Sequence, residues 1–291
     1  MPPDVPTQTS RRRLTRRPRK VGAGRNLPAA IAVGLALGAL VVVPLFAARP
    51  VFLFVAMAAI VAGSAEMARS VQAVHARVPL VPVMAGGAAM CLAAWYSGAQ
   101  GLLLALLATL LAILVWRLAY GPEGYSRDVR TGVLVAVYVP FLAGFVLLMA
   151  VPDDGARRVT TFVAAVVCSD VGGYALGSLI GRHPMAPTVS PKKSWEGFAG
   201  STIACLTAGI CLVTLLFRGQ GTWHEGALFG LAVVVTATLG DLGESMIKRD
   251  LGVKDMGTLL PGHGGVMDRL DSLLVTAPVA YLLLQSFVPP H

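Results

Sequence analysis

Apolar residues in this chain come in long blocks, and the polar residues are gathered between the blocks rather than scattered through them. Nine blocks stand out, at 27–47, 50–68, 78–96, 100–120, 131–151, 159–180, 200–217, 226–245 and 272–288. As α-helices rising about 1.5 Å per residue, blocks of this size can cross a hydrocarbon core roughly 30 Å thick. The pattern predicts an all-α integral membrane protein with about nine transmembrane helices. The second and third blocks are the least regular, because Glu66 interrupts one and the pair Gly86-Gly87 the other.

Composition supports the same class. Hydrophobic residues make up 55% of the chain and charged residues only 13%, where soluble domains carry roughly 25% charged residues. The mean hydropathy is +0.70. A soluble globular protein has no interior large enough for this much apolar sequence. The four cysteines, Cys91, Cys168, Cys205 and Cys211, each fall in an apolar block and lack metal-site or disulfide-framework spacing.

The net charge of +9 changes the picture only at one end. Eight of the 24 Lys and Arg lie between Arg11 and Arg25. This stretch has almost no apolar content and no interleaved aromatics, which argues for a disordered tail against anionic lipid and against nucleic acid. The chain therefore divides into a basic cytoplasmic tail (1–26), N-terminal transmembrane helices (27–151) and a C-terminal transmembrane catalytic region (152–291). With a cytoplasmic N-terminus and nine crossings, 20 of the 24 Lys and Arg fall on the cytoplasmic side, as the positive-inside bias requires. The polar loops 182–199 and 246–271 then share that face.

Charged groups within or beside membrane spans are costly, and four places carry them. In the sixth block, Asp170, Gly173, Tyr174, Gly177 and Gly181 form one narrow helical face. That face suits a ligand, or else a close helix crossing with Asp170 bonded locally. In the loop 182–199, Ser190, Lys192, Lys193 and Ser194 offer hydroxyls and ammonium groups to phosphate. Ser194 also reads as the N-cap of a helix with Gly197 in its first turn. An ordinary basic juxtamembrane loop is the plainer reading.

The third place is a helical stripe of Asp241, Glu244, Ser245 and Lys248, followed by Arg249. Two carboxylates with few counter-charges suit a hard divalent cation such as Mg²⁺, where a single ion pair would need only one acid and one base. The fourth runs through Lys254, Asp255, His263, Gly264 and Gly265 to Asp268, Arg269 and Asp271. Its glycines expose backbone donors as anion-cradling loops do, and His263 either caps the loop or helps to bind phosphate.

The stretch from Ser245 to Asp271, SMIKRDLGVKDMGTLLPGHGGVMDRLD, resembles the signature of the phosphatidate cytidylyltransferases, or CDP-diacylglycerol synthases. The upstream SDVGGYALG and SPKKSWEG elements resemble that family too, in the expected order. The first half, to about residue 151, resembles it only in being a stack of apolar spans. The resemblance implies transfer of a cytidylyl group from CTP to phosphatidic acid, dependent on Mg²⁺, at the cytoplasmic face of the cell membrane.

On this reading Asp241, Asp268 and Asp271 hold the metal, with Asp170 as a further ligand or a neighbour to one. Lys192, Lys193, Lys248, Arg249 and Arg269 neutralise the phosphates, and His263, Gly264 and Gly265 shape the pocket. Membrane lipid and the two substrates are the partners, and assembly as a homodimer is left open. A CTP-dependent lipid-alcohol kinase would release CDP instead of pyrophosphate. A transporter would place its acids nearer the midplane and show repeated halves.

Overall fold

The computed structural model describes residues 27–72, 77–217, 219–257, 259 and 264–289. The basic tail, Arg218 and His263 lie outside these residues. Among the described residues nine α-helices follow one another: α1 (Leu27–Ala47), α2 (Arg49–Gln72), α3 (Leu80–Leu118), α4 (Tyr125–Ala136), α5 (Leu142–Ala150), α6 (Gly155–Ile180), α7 (Trp195–Leu216), α8 (Trp223–Asp250) and α9 (Met267–Phe287). Among the described residues, seven helical segments are long and apolar enough to cross a membrane. The molecule is an α-helical membrane protein.

The helices do not map one-to-one onto the apolar blocks. Helix α3 takes in the third and fourth blocks and would be about 58 Å long if straight. It is not straight. Gly98 stands at φ 65°, ψ −155°, a conformation open to glycine and strained for other residues. The chain reverses there, and Gly86 on one arm lies against Thr109 on the other, so that a Cβ on residue 86 would come 2.8 Å from Thr109 Cβ. In a straight helix these residues would be about 35 Å apart. Conversely, the fifth block is split into α4 and α5 by one π turn over Val137–Phe141. Pro140 lies in that turn and has no N–H to give to the ladder.

Two expectations need correcting at the polar ends. The loop 182–199 is not all irregular or helical. It contains an antiparallel ribbon of β1 (Pro184–Ala186) and β2 (Ser190–Ser194). Hydropathy also placed Asp268, Arg269 and Asp271 in a loop, whereas they occupy the first turns of α9; Lys248 lies on α8 as the helical stripe predicts, and Arg249 follows it there. Both helices continue past their apolar stretch, which is all that a hydropathy pattern reports.

The last four helices pack through small residues. Backbone meets backbone where α6 crosses α7, since a Cβ on Gly172 would lie 2.6 Å from the Gly200 carbonyl oxygen. The crossing of α7 and α8 repeats this at Gly209 and Gly226, at 2.7 Å. Such approaches give the van der Waals contact that holds helices together where lipid removes the hydrophobic drive. The division at residue 151 is not a division of packing, because one buried cluster runs from Leu45 to Val288 and α5 lies against α9.

Polar contacts sort into two ends of the bundle. At one end Arg49 pairs with Asp153 at 3.6 Å, and the buried Arg158 bonds Asp154 at 2.7 Å and the carbonyls of Leu284 and Val288. At the other end Asp128 receives Arg117 at 2.8 Å and the Arg77 amide at 3.0 Å. The contacts described below all belong to this second end.

Candidate active site

The β-ribbon is set by its junction with α7. Ser194 accepts the Gly197 amide at 3.1 Å and so caps α7, as its sequence position suggests. Glu196, in the first turn, accepts the amides of Arg182 and His183 at 3.1 and 3.2 Å and meets His183 Nδ1 at 2.6 Å. This carboxylate pins the chain that enters β1 to the start of α7. On β2, Lys192 is exposed, whereas Lys193 reaches across to α8 and pairs with Asp241 at 2.5 Å.

Behind this pair lies a second ionic chain. Lys248 joins Glu244 on its own helix at 2.5 Å and Asp268 on α9 at 2.6 Å. Asp268 also accepts the amides of Met256 at 3.1 Å and Gly265 at 2.7 Å. One carboxylate therefore gathers α8, the α8–α9 connection and the start of α9. Glu244 is buried at 1% exposure; its pairing with Lys248 is the plain ion pair that the stripe on α8 argued against.

In front of these groups is a cavity of about 430 Å³. Asp170, Gly173, Tyr174 and Gly177 of α6 line it, with Lys192, Lys193 and Ser194 of β2, Asp241 of α8, and Asp268, Arg269 and Asp271 of α9. Asp170, Asp241 and Asp271 lie within electrostatic reach of one another. The four polar places of the sequence thus meet from three directions. The glycine face of α6 serves both readings given for it. Gly173 and Gly177 press on Ser201 and Gly197 of α7, while Asp170 and Tyr174 face the cavity.

Other candidates stand outside the lining. Glu244 and Lys248 sit behind it, and Ser245 is half-buried on α8. Arg249 is exposed and donates to the Val189 carbonyl at 3.3 Å. Lys254 and Asp255 are exposed in the connection, and Ser190 begins β2 opposite Ala186. Gly264 takes φ 84° beside the Asp268 carboxylate, and Gly265 donates to it. Among the described residues, no three His, Cys, Asp or Glu are drawn closely enough together to hold a metal unaided.

Glu66 and Tyr138 come from the N-terminal half toward the site. Glu66 of α2 is buried and accepts the Met267 amide at 2.9 Å. Tyr138, on the π turn, buries a hydroxyl without a hydrogen-bond partner among the described residues, within electrostatic reach of Glu244, Asp271 and Asp241. Sequence reasoning treated Glu66 only as a flaw in a span. The principle that a lone intramembrane acid marks function could have found it.

The model of the cytidylyltransferase family matches residues 28–287. The chain belongs to that family. A phosphatidate cytidylyltransferase of Mycobacterium leprae is 44% identical over 278 residues, covering 90% of this chain and 88% of the relative. Another, from Mycobacterium tuberculosis H37Rv, is 44% identical over 276 residues, covering 90% and 83%. One from Brucella melitensis matches at 39% over 155 residues, about half of either chain. The family match begins at residue 28, so membership is not confined to the C-terminal signature. The N-terminal helices are part of the family's chain, which fits the approach of Glu66 to the start of α9 and of Tyr138 to the acids of α8 and α9.

Proposed function

We propose that this cytidylyltransferase-family protein transfers the cytidylyl group of CTP to phosphatidic acid. The observation that carries the reading is the convergence of Lys193, Arg269 and the acids Asp170, Asp241 and Asp271 on one cavity at the polar end of apolar helices. Membership of the family and relatives named for this activity support it.

The chemistry follows from charge. A phosphate monoester is largely ionised at neutral pH and needs no strong base to attack. Its oxygen forms a bond to the α-phosphorus of CTP, the bond from that phosphorus to the α–β bridging oxygen breaks, and pyrophosphate leaves. The obstacle is repulsion between two polyanions, which positioning and counter-charge remove. Lys192, Lys193 and Arg269 stand where phosphates would enter the cavity. The backbone donors of the α7 start add a further anion-favouring edge. The acyl chains remain among the apolar helices while the headgroup reaches the polar end.

The acid-rich lining fits Mg²⁺, a hard cation that takes one or two carboxylates and keeps the rest of its shell for water and phosphate. Asp241 and Asp271, with Asp170 beside them, are the suited holders. Asp268 already takes Lys248 and two amides, so it holds the others in place as well as offering an oxygen. The bound ion would neutralise phosphate charge and orient the triphosphate.

Nine crossings complete the reading, with the two arms of α3 as separate spans and α1 as the first. The N-terminus and the cavity would face the cytoplasm of the cell membrane, and the basic tail would meet lipid rather than nucleic acid. Purified protein in detergent, given CTP, phosphatidic acid and Mg²⁺, is expected to yield CDP-diacylglycerol and pyrophosphate in equal amounts. Folded, monodisperse protein that yields neither would refute the assignment; with a lipid alcohol added as a second acceptor, release of CDP and formation of the alcohol's monophosphate would replace it by the kinase.

A further inference from the structure

The start of α9 carries Asp268, Arg269 and Asp271, yet among the described residues no side chain at its N-cap position caps it. The N-cap position is Val266, which offers no side-chain acceptor. A helix start leaves several amides without partners, and burying them unpaired is costly. The acceptor comes from far away in the chain. Glu66 of α2 takes the Met267 amide at 2.9 Å. It sits against Gly257 and Gly265, where a Cβ on residue 257 would enter its carboxyl group.

One turn further along α2, Ser70 donates to the Met256 carbonyl at 2.6 Å. One turn earlier, Gly63 lets α2 approach the Met267 backbone, at 4.0 Å from a Cβ built there. Positions 63, 66 and 70 share one helical face. That face holds the α8–α9 connection at Met256 and the first residue of α9, Met267. The amides of Met256 and Gly265, inside the grip, are the ones that hold Asp268.

We propose that Glu66 is a positioning residue for the reaction, capping α9 from another helix and thereby setting where Asp268, Arg269 and Asp271 stand. It acts through the Met267 amide and not on substrate. The reaction is the one assigned above, so the test has one arm that needs no activity.

Three proteins are compared in detergent: the parent, Glu66→Gln and Glu66→Met. Gln keeps the oxygen that accepts, and Met fills the space without one. For Gln, turnover is expected within about threefold of the parent; for Met, a loss of about 10–100-fold, the scale of a small misplacement of reacting groups. Hydrogen–deuterium exchange over 256–268 should quicken in the Met protein alone, with exchange in α6 and α7 unchanged. Equal activity and exchange in the Gln and Met proteins would reduce Glu66 to a space-filler and overturn the proposal. A Gln protein as inactive as Met, with parent-like exchange, would mean that the charge itself is used and would overturn it equally. If the parent is inactive under the assay, the exchange pattern still decides the capping.

Discussion

Two clusters of charge sit at the same end of this bundle and are built on opposite principles. Between α3 and α4, Asp128 and Arg117 are almost wholly buried and bonded to each other and to backbone, and Asp128 also meets the exposed Arg127 at 3.5 Å. Asp128 takes the Arg77 amide as well, and Arg117 gives its remaining N–H groups to the carbonyls of Gly121 and Glu123 at 3.2 and 2.5 Å. Around the cavity, by contrast, acids gather against acids: Asp170, Asp241 and Asp271 face one another, and Lys193 is committed to only one of them. A saturated pair holds two helices and has no capacity left for a ligand. An acid-rich cavity stores repulsion, which a cation or a counter-charged substrate can relieve.

That contrast can be broken most sharply at the cavity acids. Asp241→Asn and Asp271→Asn are each expected to lower turnover by about 10²–10³-fold, the range seen when one electrostatic group is removed from a reaction centre. The melting midpoint of Asp271→Asn should stay level or rise, because it removes a repelling charge; in Asp241→Asn the lost pair with Lys193 offsets that gain. A variant retaining more than a tenth of its activity would return that acid to a structural role.

At the saturated pair the effects should reverse. Arg117→Met leaves Asp128 buried without its partner and should cost about 3 kcal/mol of stability, read as a lowered melting midpoint in detergent. The folded fraction should turn over within about twofold of the parent. Replacing both, as Arg117→Met with Asp128→Leu, should recover most of the stability. If the double variant is no better than the single one, the pair has a role beyond holding α3 to α4.

Smaller effects belong to the β-ribbon. Lys193→Ala is expected to raise the KM for CTP about tenfold and Lys192→Ala about twofold, since only Lys193 is held at the cavity by Asp241; equal shifts would make the Asp241 contact irrelevant. The loss from one charge-assisted phosphate contact is of this size. Smallest of all, Glu196→Gln loosens the clamp on the ribbon and should slow turnover about twofold, without moving the melting midpoint, because the site is at the water-facing edge. An unchanged rate would show that His183 and Arg182 do not need the charge.

Much of the candidate site is visible without a structure, and the reason is local. Ser194 caps α7 because cap chemistry depends on residues three apart. Asp241, Glu244 and Lys248 share a face because the helical repeat puts them there. The reversal in the third and fourth blocks is also local, needing only Gly98 between two apolar stretches. The β-ribbon escaped notice because strands as short as Pro184–Ala186 leave no alternation to read. Glu66 escaped because its partner lies 201 positions away, and no periodicity within α2 points to it.

The sequence by itself determined the membrane class, the order of the helices, and the residue types gathered at one end. It does so through hydropathy and helical periodicity, both properties of neighbours along the chain. Only the tertiary structure decided which acids face a cavity and which are spoken for. It set Lys193 on Asp241, drew Lys248 and two amides onto Asp268, and left Arg117 and Asp128 closed on each other. Those are contacts between distant segments, selected by which helices glycine lets approach and by the need of every buried charge and amide for a partner.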